Sequence, residues 1–102
     1  MAKPDALQFL GLIQRAGRLV SGEENVYSAL KQNPKNAWLL IAEDASAGTV
    51  KKYTILAQAK SVPIRSFATQ EELGRALGKP RRTLVLIRDG RMAEVLFAKL
   101  EE

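Results

Sequence analysis

Hydrophobic residues along the chain follow two spacings, which separate predicted helices from predicted strands. Spacings of three and four, as in Leu7, Leu10 and Ile13, place apolar side chains on one face of a helix. Continuous apolar runs, such as Ala37–Ala42 and Leu84–Ile87, are typical of strands that are buried on both faces. The predicted helices cover residues 5–16, 23–32, 46–60, 69–78 and 92–100, and the predicted strands cover residues 18–21, 37–42, 62–67 and 83–88.

Turn and capping residues mark the boundaries between these predicted elements. Pro4–Asp5 precedes the first helix, and either Asp44 or Ser46 can cap the third. Thr69–Glu72 has the S/T-x-x-E spacing of a capping box at the start of the fourth helix. Asp89–Gly90 is predicted as a turn ahead of the last helix.

The order of elements predicts the fold class. Helices and strands alternate as α-β-α-β-α-β-α-β-α, and continuous apolar strands need helices on both faces. The sequence therefore predicts a three-layer α/β/α sandwich. The 102 residues leave room for one hydrophobic core, so residues 1–102 are expected to form a single domain.

Composition narrows the chemistry further. The chain contains no Cys and no His, which excludes thiol nucleophiles, His general bases and metal sites that depend on either residue. We therefore expect no enzyme activity, no cofactor, no metal and no small-molecule substrate. The net charge of +5 favours a polyanionic partner, RNA or DNA first and an anionic membrane second. No apolar run approaches the ~20 residues of a membrane span, so the expected location is the cytoplasm.

Several features that resemble functional motifs have simpler interpretations. Gly74–Pro80 is one residue short of a phosphate-binding loop and follows a helix, so Gly78 is interpreted as a helix end. Glu43–Asp44 follows a buried strand but has no partner for catalysis, and a capping role is favoured. Trp38 is interpreted as a core residue, and Lys51–Lys52 as a solvated helix face.

Three cations on one short loop form the first candidate site. Lys79, Arg81 and Arg82 surround Pro80 between two predicted elements, so they cannot spread along a helix surface. Arginine can grip a phosphate or a guanine edge, and its guanidinium plane can stack on unpaired bases. This loop is predicted to contact RNA.

Ser21–Asn25, at the start of the second helix, forms the second candidate site. Gly22 lets the backbone approach a ligand closely, and free N–H groups at a helix start favour a phosphate. Glu23 and Glu24 would repel a phosphate, however, and they could serve only to stabilise their own helix. The residues alone leave both interpretations open.

Four segments of the chain carry a family resemblance: Arg18–Gly22, Leu39–Ser46, Val62–Pro63 and Glu72–Gly78. Together they resemble the L7Ae ribosomal protein family, and within it the YlxQ-like bacterial members. The order and spacing of these segments fit over almost the whole chain. The resemblance implies a mixed sheet of about four strands and binding to RNA. The RNA is typically the kink-turn, a bent stem–internal loop–stem with tandem sheared G·A pairs.

The resemblance also implies which residues at the second helix contact RNA. The family pattern there is Gly-x-Asn-Glu-x-x-Lys, and only Gly22 keeps its residue type. Glu24 occupies the Asn position, Asn25 the Glu position and Ser28 the Lys position, while Lys31 one turn later could partly replace the missing lysine. An amide and a carboxylate are therefore both present, but exchanged.

We accordingly predict an RNA-binding protein, expected to act as a monomer on structured, kink-turn-like RNA in a ribosomal or ribonucleoprotein setting. The alternative is a protein-interaction module of the same fold whose RNA site has degraded. The predicted RNA-binding residues are Gly22, Glu24, Asn25, Ser28, Lys31, Lys79, Arg81 and Arg82.

Overall fold

The computed structural model describes residues 2–101, in which helices and strands alternate as predicted. The helices are α1 (Ala2–Arg15), α2 (Glu23–Lys31), α3 (Ala47–Ala59), α4 (Gln70–Ala76) and α5 (Gly90–Leu100). The strands are β1 (Leu19–Ser21), β2 (Trp38–Ile41), β3 (Ile64–Ser66) and β4 (Leu84–Ile87).

The four strands form one mixed sheet in the order β1-β4-β2-β3. β4 pairs antiparallel with both β1 and β2, whereas β2 and β3 run parallel. The register places Ser21 of β1 opposite Val85 of β4, and Ile41 of β2 opposite Leu84. The end of β1 and the start of β4 therefore meet at the same edge of the sheet.

Helices cover both faces of this sheet, which confirms the predicted α/β/α sandwich. On one face, α1, α4 and α5 pack on alternate strand residues such as Leu40 and Val85. On the other, α2 and α3 pack on residues such as Leu39 and Leu86. Alternate side chains of β2 and β4 thus point into two separate cores, because successive residues of a strand face opposite sides.

The predicted caps are present, with one change of role. Ser46 accepts a hydrogen bond from the Thr49 N–H (3.2 Å) and begins α3. Thr69 and Glu72 form the capping box at α4. Asp44 does not cap α3, because its carboxylate accepts instead from the N–H of Gln70, the first residue of α4 (2.9 Å).

Several predicted boundaries were wrong by one to three residues. α1 begins at Ala2 and includes Pro4, which the first helical turn tolerates because its N–H groups have no intrahelical partner. α5 begins at Gly90, because the Asp89 carboxylate accepts from the N–H groups of Arg91 and Met92 and caps the helix. α4 ends at Ala76, before Gly78. The strands are each shorter than predicted.

Two further contacts tie the elements together. Trp38 is half-buried and packs on Phe97 of α5, with ring centroids 4.8 Å apart, as its core assignment predicted. Lys3 of α1 forms an ion pair with Glu72 of α4, with 2.9 Å between Nζ and Oε1. No helix within residues 2–101 has the length and apolar character that a membrane crossing requires.

Candidate functional site

Gly22 makes the turn from β1 into α2. Its φ of 93° and ψ of 146° lie in a region that side-chain-bearing residues rarely adopt. Its N–H donates to the Leu84 carbonyl (3.0 Å), and its own carbonyl accepts from the Val26 N–H (2.9 Å). A Cβ at this position would lie 3.8 Å from Nε of Arg82. The turn therefore brings the start of α2 against the start of β4.

The N-terminus of α2 is available to a ligand. Gly22 carries no side chain, and no side-chain hydrogen bond caps this helix within the described chain. The first N–H groups of a helix have no intrahelical acceptor, and the helix dipole adds partial positive charge there. The backbone from Glu23 to Asn25 can therefore hold an anionic oxygen.

Arg82 is fixed beside this helix start. Its Nε donates to Oγ of Ser21 (3.3 Å), and Nη1 donates to the carbonyls of Pro80 (3.4 Å) and Arg81 (3.2 Å). Its backbone N–H donates to the Gln70 carbonyl (3.0 Å). Nη2 has no acceptor within residues 2–101, so a half-buried guanidinium is held in place with one amino group free for a ligand.

Close packing on α4 holds the loop that carries Arg82. The Lys79 N–H donates to the carbonyl of Gly74 (2.8 Å). Any Cβ at Gly74 would collide with the Pro80 backbone. Thr83 donates from its hydroxyl to the Gln70 side chain (2.9 Å), which fixes the end of the loop. The loop conformation thus depends on a glycine in α4.

An open groove of about 620 Å³ joins these features. Among the sequence-predicted residues, Gly22, Glu24, Asn25 and Arg82 line it. Ser28 and Lys31 are exposed further along α2, and Lys79 and Arg81 are exposed on the loop, but these four do not line the groove. The remaining lining residues are Ser21, Glu23, Tyr27, Lys52 and Tyr53.

Lys52, Tyr53 and Tyr27 were not predicted as site residues. Lys52 was interpreted as part of a solvated face, but its ammonium lies 3.6 Å from Glu23 Oε2 across the groove. The phenol of Tyr53 donates to the same carboxylate oxygen (3.2 Å). The apolar residues of α3 do not signal this placement, because Val50 and Ile55 are exposed, whereas Tyr53 and Ala57 are the buried residues of the helix.

These contacts set the charge of the groove. Lys52 and Tyr53 compensate the Glu23 carboxylate, which reduces the repulsion that Glu23 would exert on a phosphate. Burial of Tyr53, with the negative charge of Glu23 beside it, raises the pKa of the phenol to about 12. Tyr53 is therefore protonated at neutral pH and acts as a donor. Glu24 is exposed and forms no ion pair within residues 2–101.

Asn25 and Glu24 are the groups able to recognise a base. The Asn25 amide donates to the Ser21 carbonyl (3.2 Å), which orients the side chain beside the turn. Asn25 and Glu24 are both exposed, which leaves the second amide N–H, the amide oxygen and the Glu24 carboxylate accessible to a ligand. An amide can donate and accept, and a carboxylate can only accept, so together they can read a nucleobase edge.

The groove suits an anionic ligand better than a metal ion. No group of three or more acidic side chains in the described part of the chain is placed to bind a metal. Backbone N–H groups, one guanidinium and one ammonium instead line the same opening, together with the carboxylates of Glu24 and of Glu23, which Lys52 and Tyr53 compensate. That combination binds phosphate oxygens.

The comparisons with known proteins cover nearly the whole chain. The model of the Ribosomal protein L7Ae/L30e/S12e/Gadd45 family matches residues 5–96. RNA-binding protein YlxQ of Bacillus subtilis (strain 168) is 36% identical over 92 residues, covering 90% of this chain and 91% of that protein. RNA-binding protein YlxQ of Enterococcus faecium is 32% identical over 85 residues, covering 83% and 82%. A solved structure of a protein with unknown function from Bacillus halodurans C has a TM-score of 0.84 and 30% identity, covering 95% and 97%.

Proposed function

The chain belongs to the L7Ae/L30e/S12e/Gadd45 family of ribosomal proteins, and from this premise we propose that it is an RNA-binding protein. We propose further that its ligand is structured RNA of the kink-turn type, in a ribosomal or ribonucleoprotein setting. The names of its relatives from Bacillus subtilis and Enterococcus faecium, both RNA-binding proteins, support RNA as the partner. The net charge of +5 supports it independently.

The observation that carries this proposal is the placement of Arg82 against the uncapped start of α2. A phosphate at the N–H groups of Glu23 to Asn25 would lie beside the free Nη2 of Arg82. Both groups are fixed before RNA arrives, Gly22 by its backbone conformation and Arg82 by its hydrogen bonds. Little ordering is therefore required on binding, which favours affinity.

Glu24 and Asn25 are the residues that would recognise a base. The Glu24 carboxylate can accept from a guanine amino group, and the Asn25 amide can donate to and accept from a base edge. Lys31, Lys79 and Arg81 are exposed around the groove and would contact phosphates, and Ser28 would offer a hydroxyl. All of these are binding roles. The absence of His and Cys from the sequence leaves no imidazole base and no thiol nucleophile in this groove.

A charge-matched pair of variants tests this site. Arg82→Ala and Arg88→Ala each remove one positive charge, but Arg88 follows the opposite end of β4, roughly 20 Å away at ~3.3 Å per residue. We expect Arg82→Ala to weaken binding of a fluorescein-labelled kink-turn hairpin by about 1–3 kcal/mol in an anisotropy titration. The slope of log Kd against log salt should fall by about 1.

The Arg88→Ala variant should bind within about twofold of the unaltered chain. Equal losses of affinity in the two variants would show that RNA binding depends only on the net charge of the protein. An unaltered chain that fails to bind either the hairpin or a mixed cellular RNA fraction would reject RNA binding and favour the protein-interaction alternative.

Kink-turn specificity has its own test at the start of α2. The triple variant Glu24→Asn, Asn25→Glu, Ser28→Lys restores the family pattern and raises the net charge by one, because Glu24→Asn removes a negative charge, Asn25→Glu returns it and Ser28→Lys adds a positive charge.

We expect the triple variant to bind a standard kink-turn more tightly, by ~1 kcal/mol for the added cation and ~1–3 kcal/mol more for a correctly paired guanine edge. A control hairpin with Watson–Crick pairs in place of the G·A pairs should gain only the charge contribution. Equal gains in affinity for both hairpins would show that binding at the start of α2 depends on charge and not on base identity.

A further inference from the structure

Tyr27 is an exposed aromatic residue on α2, in the same groove as Gly22 and Arg82. Its side chain is 39% exposed, whereas Tyr53 across the groove is fully buried. Among the exposed large hydrophobic residues within residues 2–101, Tyr27 alone is aromatic. The hydrophobic core does not account for its position, since its neighbour Val26 is the residue that α2 buries there.

Two lysines surround the Tyr27 ring. The ammonium of Lys52 lies 5.0 Å from the ring centroid, and that of Lys31, one turn along α2, lies 5.4 Å away. Both distances fall within the range of cation–π attraction. Both lysines are exposed, so an incoming base can displace an ammonium from the ring without breaking a packed contact.

An exposed ring between two ammonium groups matches the requirements of single-stranded nucleic acid. Such strands are bound by aromatic rings that stack on bases and by cations that follow the phosphates. Tyr27 lies five residues after Gly22, about 7.5 Å further along the helix axis. A strand with one phosphate at the start of α2 can therefore continue past this ring.

We propose that Tyr27 stacks on one unpaired base of the bound RNA, while Lys31 and Lys52 contact the flanking phosphates. This inference rests on the proposed RNA binding and adds a residue that neither the sequence pattern nor the loop cations indicated. Because every base has a π face, Tyr27 contributes affinity for an unpaired nucleotide without selecting its identity.

The test uses the full chain and a kink-turn hairpin that carries 2-aminopurine at each unpaired position of the internal loop in turn. Stacking on an aromatic ring changes the fluorescence of this base analogue. The variants are Tyr27→Ala, which removes the ring, and Tyr27→Phe, which keeps it. Leu12→Ala is the matched control, because Leu12 is 48% exposed on α1, across the sheet from α2.

We expect Tyr27→Ala to weaken binding about tenfold and to abolish the fluorescence change at one position. Tyr27→Phe should keep both within about twofold, as should Leu12→Ala. Thermal unfolding of each variant verifies that the fold is retained. If Tyr27→Ala keeps full affinity and the same fluorescence change while Arg82→Ala binds weakly, the stacking role is rejected and RNA binding stands. If the unaltered chain binds no hairpin, both proposals fail.

Discussion

Gly74→Ala is a one-methyl change that tests how the fold holds the RNA-binding loop. Gly74 lies in α4, and the backbone of Lys79 and Pro80 passes directly over it. The new methyl group would collide with the Pro80 carbonyl, which is backbone and cannot rotate away as a side chain could. The loop must therefore move, and Arg82 moves with it.

The expected loss of stability can be worked out from three contributions. Forcing a methyl group into a packed contact costs about 1–3 kcal/mol. Loss of the hydrogen bond from the Lys79 N–H to the Gly74 carbonyl, now 2.8 Å long, costs about 0.5–1.5 kcal/mol. Alanine regains ~1 kcal/mol of helix propensity over glycine. The net destabilisation is about 2 kcal/mol, which corresponds to a fall in Tm of roughly 8–10 °C for a domain of this size.

Urea unfolding followed by tryptophan fluorescence measures this loss, because Trp38 is the chain's one tryptophan and packs half-buried on Phe97. Gly48→Ala in α3 is the matched control, since a Cβ at Gly48 meets no atom within 4 Å. That variant should be unchanged or more stable, by up to ~1 kcal/mol. Gly74→Ala should also weaken binding of the kink-turn hairpin. Equal stability of the two variants would refute the close packing of the loop on α4.

Three further perturbations have defined outcomes. Gly22→Ala should lower the free energy of unfolding by about 1–3 kcal/mol in urea titrations, because φ is 93° there. Hydrogen bonding to Lys3 holds the pKa of Glu72 below its ordinary value of 4.5, so the ionised Glu72 carboxylate stabilises the folded state above pH 4.5 and this stabilisation is lost as the pH falls. Glu72→Gln should therefore make the free energy of unfolding less dependent on pH in the acid range. The pKa of Tyr53 is raised from 10.0 to about 12, so the protonated phenol stabilises the folded state fully below pH 10, and this stabilisation is lost as the pH rises through about 12. Tyr53→Phe should remove that alkaline loss of stability, measured as the unfolding midpoint against pH.

The layers of the fold could be predicted because each strand and helix carries its own hydrophobic spacing. Ala37–Ala42 is apolar on both faces, and the structure buries β2 between two helical layers as that pattern requires. The errors lie at the ends of elements. Asp89–Gly90 has the composition of a turn, and only the capping hydrogen bonds of the Asp89 carboxylate show that α5 begins at Gly90.

The candidate site could be predicted only in part, because tertiary packing decides which cations face it. Lys79, Arg81 and Arg82 look equivalent in the sequence, yet of these three only Arg82 lines the groove. The contact of the loop backbone with Gly74 sets the path of the loop and therefore the position of Arg82. Lys52 looked like part of a solvated helix face. It reaches Glu23 only because α2 and α3 cover the same face of the sheet.

Backbone amide chemical shifts during an RNA titration test the central claim most directly. A ¹H–¹⁵N correlation spectrum of the labelled chain, titrated with an unlabelled kink-turn hairpin, reports which amides contact the ligand. The largest shifts should fall on Gly22, Glu24, Asn25 and Arg82, with little change at Leu12 of α1. Shifts that concentrate on α1 and α5, with Gly22 and Arg82 unmoved, would contradict RNA binding in this groove.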